Sequence, residues 1–483
     1  MPLESPVRGA IIEIMNPTLR ALNGFGLGAR IGERQRISDP RGWLRAQLDG
    51  GAPILDPGSE TAPDAIADAV RAFRASQQAG QSARQEARRR LGRIADVEKR
   101  AVLTERVTGD RPFVERLVAF WSNHVCVSIG SKALVTPLAG SYEREAIRPH
   151  VLGRFEDLVL ASAKHPAMLV YLDNFQSIGP ASRGAAAGGR GRPQRGLNEN
   201  YARELLELHT LGVDGGYTQQ DVQELAKILT GWTLGGIGRG RAMAQMPMRG
   251  RRQPAQTQQD SDGPISFAFQ QMLHEPGSKT VLGARYAEAG VDAGERAIRV
   301  LCRHPSTARF IATKLVTHLV SDTPPPGAVD RIARVFRETD GNLRAVSGAL
   351  IDLPEAWADG ARKFRTPQDW LIAVMRAFNA ADVSETTTPL LRQLRHPLWS
   401  PQSPKGFGDK TQEWADPDSL LNRAELARTV ARRLRASRID PRGLLDVVDV
   451  SAGDPLHRVL ADTSIAPDER IALALAGPAF QWR

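Results

Sequence analysis

The sequence lacks the features that would place it in a membrane or in a disulfide-linked fold. It has no run of about 18 or more apolar residues, the length that a membrane-spanning helix needs. Its two cysteines, Cys126 and Cys302, are far apart and are expected to be buried free thiols. The first residues have neither a continuous apolar segment nor a small-residue cleavage site. We therefore expect no secretory signal and a cytoplasmic location.

The common motifs of catalysis and cofactor binding are also missing. The sequence contains no HExxH, no pair of CxxC motifs, no GxSxG and no complete phosphate loop. The tetrapeptide Gly277-Ser278-Lys279-Thr280 resembles the end of a phosphate loop, but its glycine is not adjacent to the lysine and the upstream glycine is absent. A functional site therefore has to be sought among residues that carry no such motif.

Helical periodicity, in contrast, recurs along almost the whole sequence. It predicts an all-α fold, a single large multi-helix domain with long disordered inserts, and minor strands only near 264–285. We expect a loose N-terminal arm at 1–20 and the helical domain at 21–435. A C-terminal helical tail, 436–483, should pack on the same domain.

Much of the net charge of +10 lies in two segments rich in Gly, Pro, Gln and Arg. Residues 181–196 contain four arginines and no acid, and residues 236–263 contain five arginines and two aspartates, so that together they contribute 9 − 2 = +7. Their composition predicts disordered inserts. No aromatic residues are interleaved for base stacking, so nucleic acid is not an expected partner.

The most informative stretch is NENYARELLELHTLGVDGGYTQQDVQELAKILTGW, residues 198–232. Asn198 is a candidate cap for a first helix, and Gly212 suits the left-handed position that ends it. Thr218 and Asp221 form a capping-box start for a second helix. The pattern predicts two helices joined by a short glycine turn.

The first helix of this hairpin has an apolar side and a polar side, and the polar side has two interpretations. Either it is a solvated surface on which Arg203 bridges Glu199 and Glu207, or it faces a cleft and holds a cation or a polar substrate. In the second case Glu204 and Glu207, three residues apart, could both reach one divalent cation.

The cleft interpretation gives a set of candidate site residues. Candidate catalytic residues are His124, Glu204 and His274, which would form an acid/base or metal cluster if the fold brought them together. Candidate substrate-binding residues are Asn123, Asn200, Arg203, Trp232 and Lys279. A divalent cation on Glu204 and Glu207 is the candidate cofactor. The irregular segment 396–414 and the residues after it provide further candidate pocket residues, which are Trp399, Lys405, Trp414 and Asp416.

Several motifs together resemble a bacterial family known as domain of unknown function 1800. Besides 198–232, the resemblance includes the segments LNGFG (22–26), DPRGWL (39–44), FWSNH (120–124), RPHVLG (148–153), PAMLVYLD (166–173), HEPGSKTVLG (274–283), HPSTARFIA (304–312) and PQSPKG (401–406). It covers roughly residues 20–430 and implies a mostly helical single domain of bacterial origin.

The resemblance also implies candidate partners and substrates. Members are often encoded beside a relative of alkaline phosphatases and sulfatases. Many of these neighbours carry export signals, so the alternative to a cytoplasmic location is export together with such a signal-bearing partner. The polar side of the helix at 198–212, inside the family's most recognisable motif, predicts a cation-assisted binder or hydrolase of a polar or anionic substrate, a glycan or an ester, in a cleft around that helix. The alternative is a non-catalytic helical partner or chaperone of the neighbouring alkaline-phosphatase/sulfatase-like protein.

Overall fold

The computed structural model of the protein describes residues 16–186, 196–237, 263–359, 361–380, 384–433 and 439–483. Helices dominate these residues, as predicted. The longer ones are α1 Pro40–Gln47, α2 Pro63–Ser76, α3 Gln81–Thr108, α4 Pro112–His124, α5 Phe155–Lys164, α6 Gln219–Ile228, α7 Val291–Arg303, α8 Pro305–Leu319, α9 Pro326–Glu338, α10 Leu343–Asp352, α11 Pro367–Ala377, α12 Ser384–Gln393, α13 Pro417–Arg433 and α14 Pro467–Ala476.

Shorter helical segments connect these helices. The α-helical ones are Pro17–Leu19, Ala139–Tyr142, Pro166–Tyr171, Arg183–Ala186, Asn200–Glu204, Pro455–Ala461 and Pro478–Gln481. In the described part of the chain, three segments are π-helical, namely Arg20–Phe25, Glu143–Ile147 and Leu205–Thr210. No helix of the described residues is both long and apolar enough to cross a membrane.

Many helices begin with a proline that follows a capping side chain. In α1 the carboxylate of Asp39 accepts a hydrogen bond from Gly42 N at 2.9 Å, and Pro40 is the first helical residue. In α11 the hydroxyl of Thr366 accepts one from Asp369 N at 3.2 Å. Proline suits this position because its missing N–H would have no partner within the helix, and the capping oxygen satisfies another of the free N–H groups.

Two small antiparallel ribbons form the strand content of the described residues. β1 (Trp232–Gly235) pairs with β2 (Ser266–Phe269), and β3 (Lys279–Val281) pairs with β4 (Ala284–Tyr286). β2 and β3 lie in the region 264–285 where strands were predicted, and β4 ends one residue beyond it. β1 begins at the tryptophan that follows the second helix of the hairpin. The two-residue turn between β3 and β4 has Leu282 at φ 50° and Gly283 at φ 75°, as tight hairpins require.

The predicted helical hairpin is present, with one difference in its first helix. Thr218 and Asp221 form the capping box of α6, and Gly212 has a φ of 86°. The first helix changes from α to π after Glu204. The hydroxyl of Thr210 donates to Leu205 O, five residues earlier, at 2.6 Å. The wider turn places Leu206 and Thr210 in the core.

Most residues of the two predicted inserts and of the N-terminal arm lie outside the described residues. Residues 1–15, 187–195, 238–262 and 434–438 are not described. The last part of the chain does pack on the rest, because Arg483 N donates to Lys363 O at 2.9 Å and Lys363 N donates to Arg483 O at 3.0 Å. Cys126 and Cys302 are buried free thiols, as predicted.

Helices α4 and α11 lie at the centre of the core. Trp121 on α4 and Trp370 on α11 are almost completely buried, and most residues of both helices are buried. These helices also carry buried charges, such as Arg116 and Asp369. They form part of the wall of a cavity.

Candidate functional site

A cavity of about 470 Å³ lies between α4, α8, α11 and the segment 396–413. Its volume falls in the range of sites for small molecules. Both polar and aromatic side chains line it, among them His124, Lys314, His318, Trp399 and Asp409. Three of the four elements are helices, so most of the wall is a rigid scaffold.

His318 and Asp409 form a hydrogen-bonded pair in this cavity. The Nδ1 atom of His318 lies 3.1 Å from each carboxylate oxygen of Asp409. Because an ionised carboxylate only accepts hydrogen bonds, Nδ1 carries the proton and Nε2 has the free lone pair. No described residue is hydrogen-bonded to this Nε2. The same Nε2 atom is buried, and it can take a proton only from a water molecule that reaches it inside the protein.

The protonation states of the pair suit a base at neutral pH. Burial lowers the pKa of His318, although Asp409 acts in the opposite direction, so the imidazole is neutral. Burial would raise the pKa of Asp409, but His318 and Lys363 hold it at about 2. An ionised carboxylate behind a neutral imidazole is the arrangement that stabilises an imidazolium formed during a reaction.

A set of hydrogen bonds holds Asp409 in place. The ammonium group of Lys363, almost completely buried, donates to Asp409 O at 2.7 Å and also pairs with the carboxylate of Asp322. Asp322 in turn accepts from Thr411 N at 2.8 Å. The backbone on both sides of residue 410 is therefore fixed to the helical core.

Lys314 lies one turn before His318 on α8 and is hydrogen-bonded to His124. Its Nζ is 2.9 Å from His124 Nδ1, while His124 Nε2 is 3.1 Å from His209 O. A carbonyl only accepts, so Nε2 of His124 carries the proton and Nδ1 accepts from Lys314. Burial lowers the pKa of His124 well below its ordinary value and lowers the pKa of Lys314 to about 8.

Other charged residues in the wall are already paired. The buried carboxylate of Glu143 accepts from Arg106 at 3.2 Å, Arg148 at 3.2 Å, Ser122 at 3.0 Å and Trp399 at 3.0 Å. These partners lower its pKa despite burial, which acts to raise it. Glu143 is therefore an ionised structural group.

The carboxylate of Asp369, also in the wall, is paired with two arginines. Arg116 Nη1 lies 3.2 and 3.3 Å from the two carboxylate oxygens of Asp369, and Arg483 Nε lies 3.2 Å from one of them. Arg116 also donates to Gly26 O at 2.7 Å. Buried charges of this kind need partners, and here each has them.

Two further groups in the cavity are in their neutral forms. Burial raises the pKa of the Cys126 thiol to about 12, so at neutral pH it is not the thiolate that nucleophilic catalysis needs. Burial lowers the pKa of His396 to about 3, and its ring packs on Phe407 and Trp414 with centroid distances of 4.1 and 4.7 Å.

Of the candidates chosen from the sequence, His124 and Asn123 line the cavity. Asn123 accepts from Phe407 N at 2.8 Å and donates to Phe407 O at 2.9 Å, so it holds the segment 401–413. Two further sequence candidates, Trp399 and Lys405, also line the cavity. Trp414 packs on His396, and Asp416 caps α13 through Ser419 N at 3.0 Å.

The sequence candidates His274, Lys279 and Trp232 contact other parts of the protein. His274 donates through Nδ1 to Thr230 O at 2.9 Å, and Lys279 donates to Gly277 O at 2.7 Å. Trp232 is completely buried and packs against Phe267. Thus His274 has partners different from those of His124, and the two histidines do not share a contact among the described residues.

The polar side of the hairpin is half-buried and contains the predicted ion pairs. Arg203 lies 3.7 Å from Glu199 and 3.5 Å from Glu207, and Asn200 is exposed. Burial, and then Glu207, raises the pKa of Glu204. No group of three or more His, Cys, Asp or Glu side chains suited to a metal ion occurs among the described residues.

The sequence analysis did not select Lys314, His318 or Asp409. Lys314 and His318 are polar residues four apart in an otherwise apolar helical stretch, KLVTH, a weak signal that one side of α8 faces a cavity. Asp409 is 91 residues from His318, and nothing local indicates that the two meet.

Comparison with known proteins identifies a family but no characterised relative. No curated protein and no solved structure matches the chain. The model of one family, described as a protein of unknown function (DUF1800), matches residues 20–482. That match includes every residue of the cavity, and the chain belongs to the DUF1800 family.

Proposed function

We propose that the protein is a hydrolase that cleaves an ester bond in a polar substrate bound in the cavity. The observation that carries this proposal is the His318–Asp409 pair, with a neutral imidazole whose Nε2 has no partner among the described residues. The nearby serine and cysteine are unsuited as nucleophiles, because Ser122 donates to Glu143 and Cys126 is a neutral thiol. Water is therefore the nucleophile.

In the reaction, His318 Nε2 accepts a proton from water as the water oxygen attacks the ester carbon. Asp409 stabilises the imidazolium that forms. The imidazolium then returns the proton to the leaving alcohol as the ester C–O bond breaks, and the products are an acid and an alcohol. General-base help of this kind contributes about 10²–10⁴ to the rate.

An ester fits the cavity better than a glycoside. Glycoside hydrolysis generally requires two carboxyl groups, one of them a protonated acid with a raised pKa. Here Glu143 and Asp369 both have lowered pKa values because of their arginine partners, although burial alone would raise them. Neither can supply a proton.

The hairpin of residues 198–232 has a positioning role in this proposal. His209, in its π-helical turn, accepts the hydrogen bond from His124 Nε2 through its carbonyl. His124 thereby becomes a neutral acceptor that orients Lys314. In this proposal it acts through Lys314 and is a positioning residue, whereas the sequence analysis took it as a candidate acid or base.

The test is hydrolysis of a panel of aryl and alkyl esters by the full chain and by single variants. We expect His318→Gln and Asp409→Asn to lower kcat/KM by about 10²–10⁴, with folding checked by circular dichroism. His457→Gln is the matched control, since His457 is a half-buried histidine that does not line the cavity.

Two results would contradict the proposal. One is turnover by His318→Gln equal to that of the natural chain. The other is a folded chain that hydrolyses no ester in the panel. Stable co-purification with an alkaline-phosphatase/sulfatase-like protein, together with the second result, would support the non-catalytic alternative.

A further inference from the structure

Lys314 is a cation in the cavity wall without an acidic partner. Asp409, a carboxylate that acts electrostatically on Lys314, is engaged by His318 and Lys363. Among the described residues no carboxylate forms an ion pair with Lys314, whose one hydrogen bond goes to a neutral histidine. A buried charge without a counter-ion is unusual in a folded protein.

The tautomer of His124 determines what Lys314 can still bind. His124 Nε2 donates to His209 O, so Nδ1 offers a lone pair to the ammonium group of Lys314. An ammonium group has three N–H donors. One is used by His124, and two remain for a ligand in the cavity.

The charges around Lys314 favour an anionic ligand. Arg106 and Arg116 in the same wall are already paired, with Glu143 and Asp369 respectively. Lys405, from the segment 396–413, also lines the cavity and acts electrostatically on Lys314. Two lysines thus provide positive charge that the paired arginines do not.

Lys314 and His318 have a defined relation to each other. They are four residues apart on α8, which places them on the same face about 6 Å apart along the helix axis. A ligand group held by Lys314 is therefore about one helical turn from the ester carbon, which is attacked by the water molecule that gives its proton to His318.

We propose that Lys314 binds an anionic group of the substrate, a carboxylate, phosphate or sulfate, about one helical turn from the ester bond that is cleaved. That the anion is part of an ester substrate rests on the proposed function, whereas the presence of an anion site at Lys314 does not. The protein would then select esters that carry a negative charge. His124 holds the ammonium group in place, and Lys405 adds to its field.

The first experiment measures binding of simple anions to the full chain at low ionic strength. Acetate, inorganic phosphate and sulfate are titrated separately, by calorimetry and by thermal melting, so that carboxylate and tetrahedral anions are distinguished. We expect binding of at least one, weakened about tenfold to a hundredfold in Lys314→Met, as loss of a charge-assisted hydrogen bond predicts. His318→Gln should retain it.

The control variant is Lys227→Met, because Lys227 is a half-buried lysine paired with Glu224 and does not line the cavity. It should bind anions as the natural chain does. A folded natural chain that binds none of the three anions would overturn the inference, as would equal binding by Lys314→Met.

The second experiment compares pairs of aryl esters that differ only in a terminal carboxylate, such as a hemisuccinate and a butyrate. We expect the natural chain to prefer the anionic ester by about tenfold or more in kcat/KM, and Lys314→Met to lose this preference. Hydrolysis without any preference overturns the inference and leaves the proposed function. Anion binding that depends on Lys314, without hydrolysis of any ester, overturns the proposed function and leaves the inference.

Discussion

At the scale of single residues, burial and the carboxylate of Asp409 have opposite effects on the pKa of His318. Burial is the larger effect and lowers the pKa of the imidazole, while Asp409 raises it. A base with a lowered pKa loses activity only when the pH falls below its ordinary value of 6.5. Neutral solution therefore leaves His318 ready to accept a proton.

This gives a prediction for the pH dependence of turnover. The acid limb of a plot of kcat/KM against pH, which reports groups of the free enzyme, should have its midpoint below pH 6.5. The measurement is the initial rate of ester hydrolysis in buffers of different pH and constant ionic strength. A midpoint above that pH would show that His318 is protonated more easily than its buried position allows.

Anion binding by Lys314 should depend on pH in the opposite direction to turnover, because it is lost as the pH rises. Burial lowers its pKa from 10.5 to about 8, against the raising effects of Cys126 and Asp409, and Lys405 lowers it further. His124 donates no charge, because it is neutral. Anion binding should therefore weaken as the pH rises through about 8. Calorimetric titrations with the anion that binds would test this.

Lys314→Arg is the matched variant for that test. A guanidinium stays protonated throughout this range, so a Lys314→Arg chain that binds the anion should bind it equally below and above pH 8. If binding to the natural chain does not change across this range, the charge of Lys314 is not what holds the anion.

At the scale of elements, some parts of the structure follow from local sequence and others do not. The hairpin was predicted because its signals are local, such as the capping box Thr218–Asp221 and the positive φ of Gly212. The π-helical turn was not, because it depends on a bond from Thr210 to Leu205 and on packing of Leu206. The His318–Asp409 pair depends on a tertiary contact.

The capping box predicts how the hairpin responds to substitution. Thr218→Ala removes the oxygen that accepts from Asp221 N at 3.2 Å and should lower the free energy of unfolding by about 0.5–2 kcal/mol. Thr218→Ser keeps that oxygen and should stay close to the natural chain. Urea unfolding of both variants is the measurement. Equal loss in both would mean that the methyl group, not the cap, is what matters.

The segment 396–413 forms one wall of the cavity and depends on Asn123. Two hydrogen bonds join its side chain to the backbone of Phe407, and Gly406 packs so closely that an added Cβ would lie 2.4 Å from Asn123 O. Asn123→Ala should lower the free energy of unfolding by about 1–3 kcal/mol, because it leaves backbone groups without partners. It should also speed amide hydrogen exchange in 401–413.

The control for this variant is Asn422→Ala. Asn422 also donates its amide to a backbone carbonyl, that of Gln393 at 2.8 Å, but at an exposed bond away from the cavity. Exchange in 401–413 should be unchanged in this variant. Unchanged exchange in Asn123→Ala as well would mean that other contacts of the segment, such as that of Lys363 with Asp409 O, are enough to hold it.

At the scale of the whole molecule, buried ion pairs connect parts of the chain that are distant in sequence. Arg116 of α4 and Arg483 meet at Asp369 of α11, and Glu143 joins Arg106 of α3 to Arg148. The sequence predicted an all-α domain with a packed tail, but not these pairs, because charged residues on helices are usually exposed. The cavity lies beside both clusters.

The Asp369 cluster therefore predicts a large effect on stability. Asp369→Asn leaves two buried guanidinium groups without their shared carboxylate, and removal of one member of a buried pair costs about 3–5 kcal/mol. In the natural chain burial acts to raise the pKa of Asp369, but Arg116 and Arg483 lower it below its ordinary value. The stabilisation is thus present above pH 3.8 and declines as the pH falls below it.

Glu469→Gln, which breaks the exposed pair with Arg428, should cost at most about 1 kcal/mol. Equal stability of both variants in urea at neutral pH would mean that the cluster does not join these elements.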